Sequence, residues 1–390
     1  MVHFLHFNIE QPTSFIQLKD SVSAGYSRTL LFFILVSVFA LSSCAVTQPL
    51  DESAQKVQKY WPDLPVAPRF MHEGSLRFTN DITPKSQDEK FKEMITGPRD
   101  PTPAFLRPYD VVAQFGRIYI SDSDAGLISV YDVPRRRYYR LGNRLQGQLV
   151  KPMGLALDEQ SSLYVADMGS KSIKVYDFLG LYIRTFGEED NLQQPMSVAV
   201  DKNSDRVYVV DNGGIDSDQH RVLVYDKKAN LIQTIGKRGH EAGEFNLPTD
   251  AIVGGDGNLY VLDSGNFRVQ AFDSKGNYIK HWGEAGSTFG QFGRPRSIAI
   301  DSVDNLYVTD MFFGNFQIFN PQGKLLLPIG KLNEIDQSGH YRLISGISVD
   351  ETNRVYVVDQ FFKKIDIYRF LSDAEGNDLA LKWVKSQNNN

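Results

Sequence analysis

The sequence feature that most constrains the fold is a short tyrosine motif that recurs six times, once every 45 to 50 residues or so. The copies read IYISD, LYVAD, VYVVD, LYVLD, LYVTD and VYVVD, with tyrosines at Tyr119, Tyr164, Tyr208, Tyr260, Tyr307 and Tyr356. A short apolar segment precedes each copy and a third strand-like segment follows it. In most units a fourth segment ends in glycine. Four short strands per repeat of this length are typical of propeller blades, so the pattern predicts six blades.

A second pattern lies between the blades. The sequence G-x-x-G…G-x-F-x-x-P occurs at Gly236–Pro248 and again at Gly283–Pro295. With this signature the units resemble NHL repeats, and the resemblance extends over about residues 107–370. It implies an all-β fold, a six-bladed β-propeller of four-stranded antiparallel blades, which we place at residues 108–370.

Closure of the ring needs one more strand, because blade 6 supplies only three of its own. An open ring would leave a strand edge exposed. We expect the fourth strand from Pro68–His72, within a closing strand and connector at residues 66–107. The alternative donor is Leu379–Val384 in the C-terminal tail, residues 371–390.

The N-terminus reads as a targeting signal. The twelve-residue apolar run Leu30–Leu41 follows Arg28 and is too short to span a bilayer. It leads into Leu41-Ser-Ser-Cys44, which resembles the lipobox of bacterial lipoproteins. The resemblance implies a signal peptide at 1–43, a lipidated Cys44 and a flexible polar tether at 44–65. Alternatives are an ordinary signal peptide or a short membrane anchor.

The resemblance implies a protein that is exported and anchored to a membrane on its extracytoplasmic side. Ala45 is not the aspartate associated with retention at the inner membrane, which favours the outer membrane. Cys44 is the only cysteine, so an intrachain disulfide is impossible. The chain carries 42 basic and 47 acidic side chains, a formal charge of −5. That balance, together with the export signal, argues against the RNA binding of cytoplasmic NHL proteins.

Enzymatic activity is the main alternative function. Propellers that resemble this one include the peptide-amidating lyases, whose zinc is held by histidines in the central channel. Streptogramin lyases and calcium-dependent lactonases are other propeller enzymes. The histidines after the predicted signal lie outside the predicted inner strands, at His72, His220, His240, His281 and His340. We therefore predict no cofactor and no metal site. The acidic loop at 211–218 remains an alternative calcium site.

Each tyrosine motif ends in aspartate, which could suggest a ring of metal ligands. A residue that recurs in every repeat more often serves the repeat, by accepting hydrogen bonds from backbone amides of the following turn. We expect this structural role for the whole set: Asp122, Asp167, Asp211, Asp263, Asp310 and Asp359. We expect the same for a second, incomplete set: Asp158, Asp201, Asp301 and Asp350.

Aromatic residues in the turns after the motif give the candidate binding site. Blade 5 reads Met311-Phe312-Phe313, blade 6 reads Phe361-Phe362, and Phe267 lies in the turn of blade 4. If exposed, these residues form one apolar patch flanked by Arg342 and Lys363. The alternative is that they pack on neighbouring blades. We predict a monomeric, lipid-anchored binding or scaffold protein for a protein or peptide partner; the alternative is a metal-dependent propeller enzyme.

Overall fold

Six antiparallel sheets follow one another along the chain in the computed structural model, which describes residues 58–98, 100–204 and 206–388. These residues belong to one compact unit, residues 58–390. The predicted signal peptide, Cys44 and most of the predicted tether lie outside the described residues. The all-β prediction, with six blades of four antiparallel strands, is confirmed.

The strands are numbered in chain order. Two strands precede the repeats: β1 (Tyr60–Trp61) and β2 (Phe70–Leu76). Blade 1 contains β3 (Pro108–Gln114), β4 (Arg117–Asp122), β5 (Leu127–Asp132) and β6 (Arg137–Leu141). Blade 2 contains β7 (Pro152–Leu157), β8 (Leu163–Asp167), β9 (Ser172–Tyr176) and β10 (Tyr182–Phe186). Blade 3 contains β11 (Pro195–Asp201), β12 (Arg206–Asp211), β13 (Arg221–Tyr225) and β14 (Leu231–Ile235).

The remaining blades follow the same order. Blade 4 contains β15 (Asp250–Val253), β16 (Leu259–Asp263), β17 (Arg268–Phe272) and β18 (Tyr278–Trp282). Blade 5 contains β19 (Pro295–Ile300), β20 (Leu306–Asp310), β21 (Asn315–Phe319) and β22 (Leu325–Leu332), with the short β23 (His340–Tyr341) paired parallel to β22. Blade 6 contains β24 (Ile344–Val349), β25 (Arg354–Asp359) and β26 (Lys364–Phe370). Helices α1 (Gln87–Thr96) and α2 (Asp373–Asn388) lie outside the blades.

The core lies between neighbouring blades rather than within one sheet. The second strands β8, β16 and β20 are buried along their whole length, and each carries the repeated tyrosine. Tyr164 of blade 2, for example, packs in one cluster with Val209 and Leu223 of blade 3. Burial of apolar side chains between adjacent blades is the main stabilising contribution in such a ring. The tyrosine motif therefore recurs because every blade needs the same buried strand.

The N-terminal segment closes the ring, as the sequence predicted, although the strand begins at Phe70 and continues to Leu76, beyond the expected Pro68–His72. Strand β2 pairs antiparallel with β26, with Phe70 opposite Phe370 and Leu76 opposite Ile365. The alternative donor, Leu379–Val384, lies in helix α2 and is not a strand. A capping box stabilises the start of this helix: the Ser372 hydroxyl accepts the Glu375 N–H, and the Glu375 carboxylate accepts the Ser372 N–H.

A buried ion network fastens the closing strand. Lys364 of β26 is fully buried and its ammonium lies 3.0 Å from the Asp366 carboxylate and 3.1 Å from that of Asp336. From β2, the Ser75 hydroxyl donates to Asp366 at 2.5 Å, and His72 lies 3.4 Å from the same carboxylate. Removing either Lys364 or Asp366 would leave the other as an uncompensated buried charge, so the network favours the closed register.

The alternating strands give the ring two faces. The turns between second and third strands and the loops between blades form what we call the upper face. The turns between first and second strands and between third and fourth strands form the lower face. The first strands line a central channel whose cavity of about 540 Å³ extends to the lower-face turns at Phe115, Glu159 and Glu351. Among the described residues, no helix is long and apolar enough to cross a membrane.

Candidate functional site

The six aspartates that end the tyrosine motifs have a structural role, which confirms the sequence-based interpretation. All six are fully buried. Asp310 shows the arrangement: it accepts N–H groups from Gly293 and Arg294 of the preceding inter-blade loop and from Phe312 and Phe313 of its own turn, at 2.7 to 3.4 Å. Burial raises the pKa of Asp310, and these four N–H groups oppose that rise. Each aspartate thus fixes an upper-face turn against the neighbouring loop.

The partner expected for the blade 4 aspartate is also present. The guanidinium of Arg268 lies 2.8 Å from the Asp263 carboxylate, and both side chains are buried. The second set of aspartates caps turns on the lower face. Asp158, for instance, accepts the Ser162 N–H at 2.7 Å, and Asp350 accepts the Thr352 N–H at 2.8 Å. In both sets every carboxylate accepts at least one backbone N–H group, which is the structural role that the sequence predicted.

Two further aspartates, which the sequence analysis did not single out, line the central channel. Asp110 of blade 1 and Asp250 of blade 4 are three blades apart and so lie on opposite sides of the channel axis. Asp110 accepts the Leu155 N–H at 2.9 Å, and Asp250 accepts the Ile298 N–H at 2.8 Å and the hydroxyls of Ser197 and Ser297. These bonds join neighbouring first strands. The two residues could have been found from the sequence, because the other blades carry glycine or serine at the same position.

The pKa values of both channel carboxylates are raised. Burial raises the pKa of Asp110 well above its ordinary value, and the nearby charge of Asp250 raises it further. Burial also raises the pKa of Asp250, whereas hydrogen bonds from Ser197 and Ser297 oppose that rise. Within the described part of the chain, no three His, Cys, Asp or Glu side chains converge in a way that could hold a metal ion.

The histidines lie where the sequence placed them. His220 is fully buried in a turn, where its ring contacts the Gly214 carbonyl oxygen at 2.9 Å and accepts the Leu247 N–H at 3.2 Å. His281 lies on the outer strand β18, and His240 and His340 lie in inter-blade segments. In the loop at 211–218, Asp211 is buried against backbone amides while the Asp218 side chain is 99% exposed, so these carboxylates point to different surroundings.

Two phenylalanines stand out on the upper face. Phe312 is 56% exposed and Phe361 is 59% exposed, at the same position of the turns in neighbouring blades 5 and 6. Each rests edge-on against the next residue, with ring centroids 5.2 Å apart for Phe312–Phe313 and 5.3 Å apart for Phe361–Phe362. Gly293 lies beneath Phe312, where a Cβ would come within 2.5 Å of the ring. The rings are therefore held on the surface rather than folded into the blades.

One further exposed phenylalanine lies beside these rings, and two of the residues expected in the patch are half-buried instead. Phe289, from the loop before blade 5, is 59% exposed and its ring lies 6.1 Å from that of Phe313. Met311 and Phe267 are half-buried and pack against apolar clusters between blades. Phe267 occupies the left-handed position of its turn, one residue beyond the position of Phe313. For these two residues the structure favours the packing alternative.

We define the phenylalanine surface as the exposed Phe289, Phe312 and Phe361 together with Phe313 and Phe362, the half-buried rings against which they rest. The sequence analysis missed Phe289, although an isolated phenylalanine in a Gly-Ser-Thr-Phe-Gly loop was a usable signal. Exposed basic residues surround the surface at Arg294, Lys331, Arg342 and Lys363. Of these, Arg342 lies 3.4 Å from Glu334. The surface is thus apolar at its centre and basic at its rim, a composition common at binding interfaces.

Comparison with known proteins supports the repeat. The NHL repeat family model matches residues 245–272, from the loop before blade 4 to the end of its third strand. The chain is 28% identical over 96 residues to Protein brain tumor of Drosophila melanogaster, which covers 24% of this chain and 9% of that protein. The match therefore spans less than a tenth of that relative's length.

Solved structures show the same architecture. A gluconolactonase from Xanthomonas campestris superposes with a TM-score of 0.52 at 15% identity, over 68% of this chain and 87% of that one. A protein of unknown function from Bacteroides thetaiotaomicron superposes with a TM-score of 0.54 at 15% identity, over 76% of each chain. At such identity the likeness shows the fold alone. The chain is a six-bladed β-propeller that carries an NHL repeat in its fourth blade.

Proposed function

We propose that this protein is a lipid-anchored, extracytoplasmic binding protein that holds a protein or peptide partner on the phenylalanine surface. The observation that carries the proposal is the pair of exposed rings at equivalent turn positions, Phe312 at 56% and Phe361 at 59% exposure. Large aromatic side chains rarely stay exposed on adjacent loops without a partner, and aromatic residues are enriched at the centres of interfaces.

The turns that carry these rings are fixed before any partner binds. Asp359 accepts the N–H groups of Phe361 and Phe362 at 2.8 and 2.9 Å, and Asp310 does the same for Phe312 and Phe313. A rigid turn loses little conformational entropy on binding, so more of the burial energy contributes to affinity. Burying a phenylalanine contributes roughly 1.5–3 kcal/mol.

The basic rim gives the partner a preferred chemistry. Arg294, Lys331 and Lys363 are exposed around the rings, and Lys364 lies behind Phe362 with its ammonium 5.6 Å from the ring centroid. A partner segment with apolar side chains flanked by acidic residues would complement this arrangement. The support for the anchor comes from the sequence alone, through the apolar run and the cysteine at position 44.

The test is the double substitution Phe312→Ala with Phe361→Ala. We expect at least about a tenfold loss of partner affinity, because two exposed rings leave the interface while the blade cores keep their packing. Partners crosslinked and copurified with the wild-type protein are quantified by mass spectrometry, and thermal unfolding is followed in parallel. Ile232→Ala with Ile279→Ala is the matched control, since both isoleucines are exposed on outer strands away from this face.

Two outcomes would contradict the proposal. Undiminished capture by the phenylalanine variant would place the interface elsewhere on the ring. A large fall in melting temperature for that variant, absent from the isoleucine control, would mean that the rings stabilise the blades instead of binding a partner.

A further inference from the structure

The lower face carries one turn whose composition differs from that of its counterparts. Between the third and fourth strands, blade 2 reads Phe178-Leu179-Gly180-Leu181, whereas blade 4 reads Ser-Lys-Gly-Asn and blade 5 reads Pro-Gln-Gly-Lys. Phe178, Leu179 and Leu181 are 50%, 59% and 62% exposed. We call these three residues the blade 2 tip. The tip has the backbone of an ordinary turn, with Asp177 accepting the Leu179 and Leu181 N–H groups, so its apolar side chains are not needed for the turn itself.

The blade 2 tip is held in place by blade 1. The Arg117 guanidinium donates to the carbonyl oxygen of Phe178 and also lies 3.0 Å from the Asp132 carboxylate. Gly180 packs against blade 1, where a Cβ would lie 3.3 Å from the Leu141 side chain. The apolar side chains therefore project from a supported turn. Phe115, on the adjacent lower-face turn of blade 1, is 66% exposed and adds a fourth large apolar side chain.

Cations flank the blade 2 tip on both sides. The corresponding turn of blade 1 carries Arg135, Arg136 and Arg137, all exposed, and that of blade 3 carries the exposed Lys228. Arg135 pairs with Asp132 at 3.0 Å. In the described part of the chain, the guanidinium groups of Arg136 and Arg137 have no hydrogen-bond or ion-pair partner. This local excess of positive charge lies on a chain whose formal charge is −5.

We propose that the blade 2 tip and the arginines beside it form a docking surface for a lipid bilayer with anionic head groups. Apolar side chains at a protruding turn can enter the boundary between head groups and acyl chains. Guanidinium groups next to them can pair with lipid phosphates, for which their planar donors are well suited. We assign the surface to a bilayer rather than to a protein because Arg136 and Arg137 have no acidic partner among the described residues, and lipid phosphates would supply one.

This surface is independent of the proposed partner site. It lies on the lower face, whereas the phenylalanine surface lies on the upper face, so a docked ring would leave the upper face accessible. The two proposals can therefore fail separately.

The experiment uses residues 58–390, a compact unit within which the ring closes through β2. This chain lacks Cys44 and the apolar N-terminal run, so neither can contribute to binding. Cosedimentation is measured with vesicles of phosphatidylcholine alone and with added phosphatidylglycerol. We expect binding only to the anionic vesicles, and we expect it to weaken as salt is raised.

Variants then separate the two contributions. Phe178→Ser with Leu179→Ser should weaken binding about tenfold or more, since two apolar side chains leave the bilayer boundary. Arg136→Gln with Arg137→Gln should weaken it by about fivefold per arginine and reduce the salt dependence. Lys275→Gln with Lys324→Gln, two exposed lysines on the same face in blades 4 and 5, is the matched charge control and should change binding less.

Folding and specificity are checked in the same series. Melting temperatures should stay near that of the parent, because all the substituted residues are exposed, and Phe312→Ala with Phe361→Ala should bind vesicles as the parent does. The inference is wrong if the parent chain ignores anionic vesicles, binds neutral ones equally well, or binds as before after the blade 2 tip or arginine substitutions. A blade 2 tip that crosslinks to a protein and not to lipid would also overturn it.

Discussion

The residues that recur in every blade and the residues that occur in only one or two have different tasks. Asp310 and its five counterparts bind backbone amides, and the repeated tyrosines fill the space between blades, with Tyr307 also donating to Asp301 at 3.1 Å. Asp110 and Asp250 occupy a position that holds glycine or serine in the other four blades, and there the repeats differ from one another. Single substitutions are therefore most informative at positions where one or two blades differ from the others.

Asp110 gives a prediction about pH. Its pKa is raised by burial, so between the unfolded and folded pKa values the native state holds a proton that the unfolded state lacks. The resulting stabilisation is complete below the unfolded pKa and is lost as the pH rises through the folded pKa. Asp110→Asn mimics the protonated form and keeps an acceptor for the Leu155 N–H.

We therefore expect Asp110→Asn to melt higher than wild type at pH 8, by a few degrees, and the difference to shrink as the pH is lowered toward 4. Thermal unfolding across this pH range is the measurement. Asp226→Asn is the matched control, because Asp226 is an exposed turn residue whose pKa is lowered. A variant that is less stable than wild type at pH 8 would show instead that the ionised Asp110 carboxylate stabilises the folded ring.

At the scale of secondary-structure elements, the two chain ends contribute very differently. Strand β2 supplies buried Phe70 and Leu76 to two blade clusters and contacts the ion network around Lys364. Helix α2 buries only Gly376, which packs on the Pro68 carbonyl, and pairs through exposed ions such as Arg369 with Glu375. Ring closure therefore depends on the N-terminal strand.

Truncation separates these roles. A chain that begins at Phe78 loses β2 and exposes the edge of β26, and we expect aggregation and a melting temperature lower by more than about 10 °C. A chain that ends at Gly376 keeps the strand and loses most of α2, and we expect a change of about 2 °C or less, in line with ordinary surface changes. Differential scanning calorimetry measures both. Equal losses from the two truncations would contradict this account of closure.

Features that recur in every blade could be predicted from the sequence, whereas features that depend on contacts between blades could not. The blades, their aspartates and the donor of the closing strand could be predicted, because hydrophobic period, turn residues and repeat spacing are local or repetitive signals. The helical state of Leu379–Val384 does not follow from its sequence alone, since a short apolar run fits either a strand or a helix. The patch membership of Phe267 and Met311 could not be predicted, because exposure depends on neighbours from another blade.

At the scale of the whole molecule, the proposal that a lipid anchor at Cys44 holds the ring at a membrane can be tested directly. If Cys44 carries the anchor, Cys44→Ser should move the protein from the membrane fraction to the soluble exported fraction, or leave an unprocessed precursor. Fractionation and intact-mass analysis of the mature chain are the measurements. A wild-type mass without an acyl addition, or membrane retention unchanged by the substitution, would contradict lipidation.

The most direct test of the central claim is site-specific photocrosslinking in living cells. A benzoyl-phenylalanine replaces Phe312 or Phe361 on the upper face, and Ile232 or Ile279 on the outer strands as controls. The account predicts one shared protein adduct at the two phenylalanine positions and none at the two isoleucine positions. Adducts of equal yield at all four positions, or none at Phe312 and Phe361, would contradict the claim that this protein binds its partner through the phenylalanine surface.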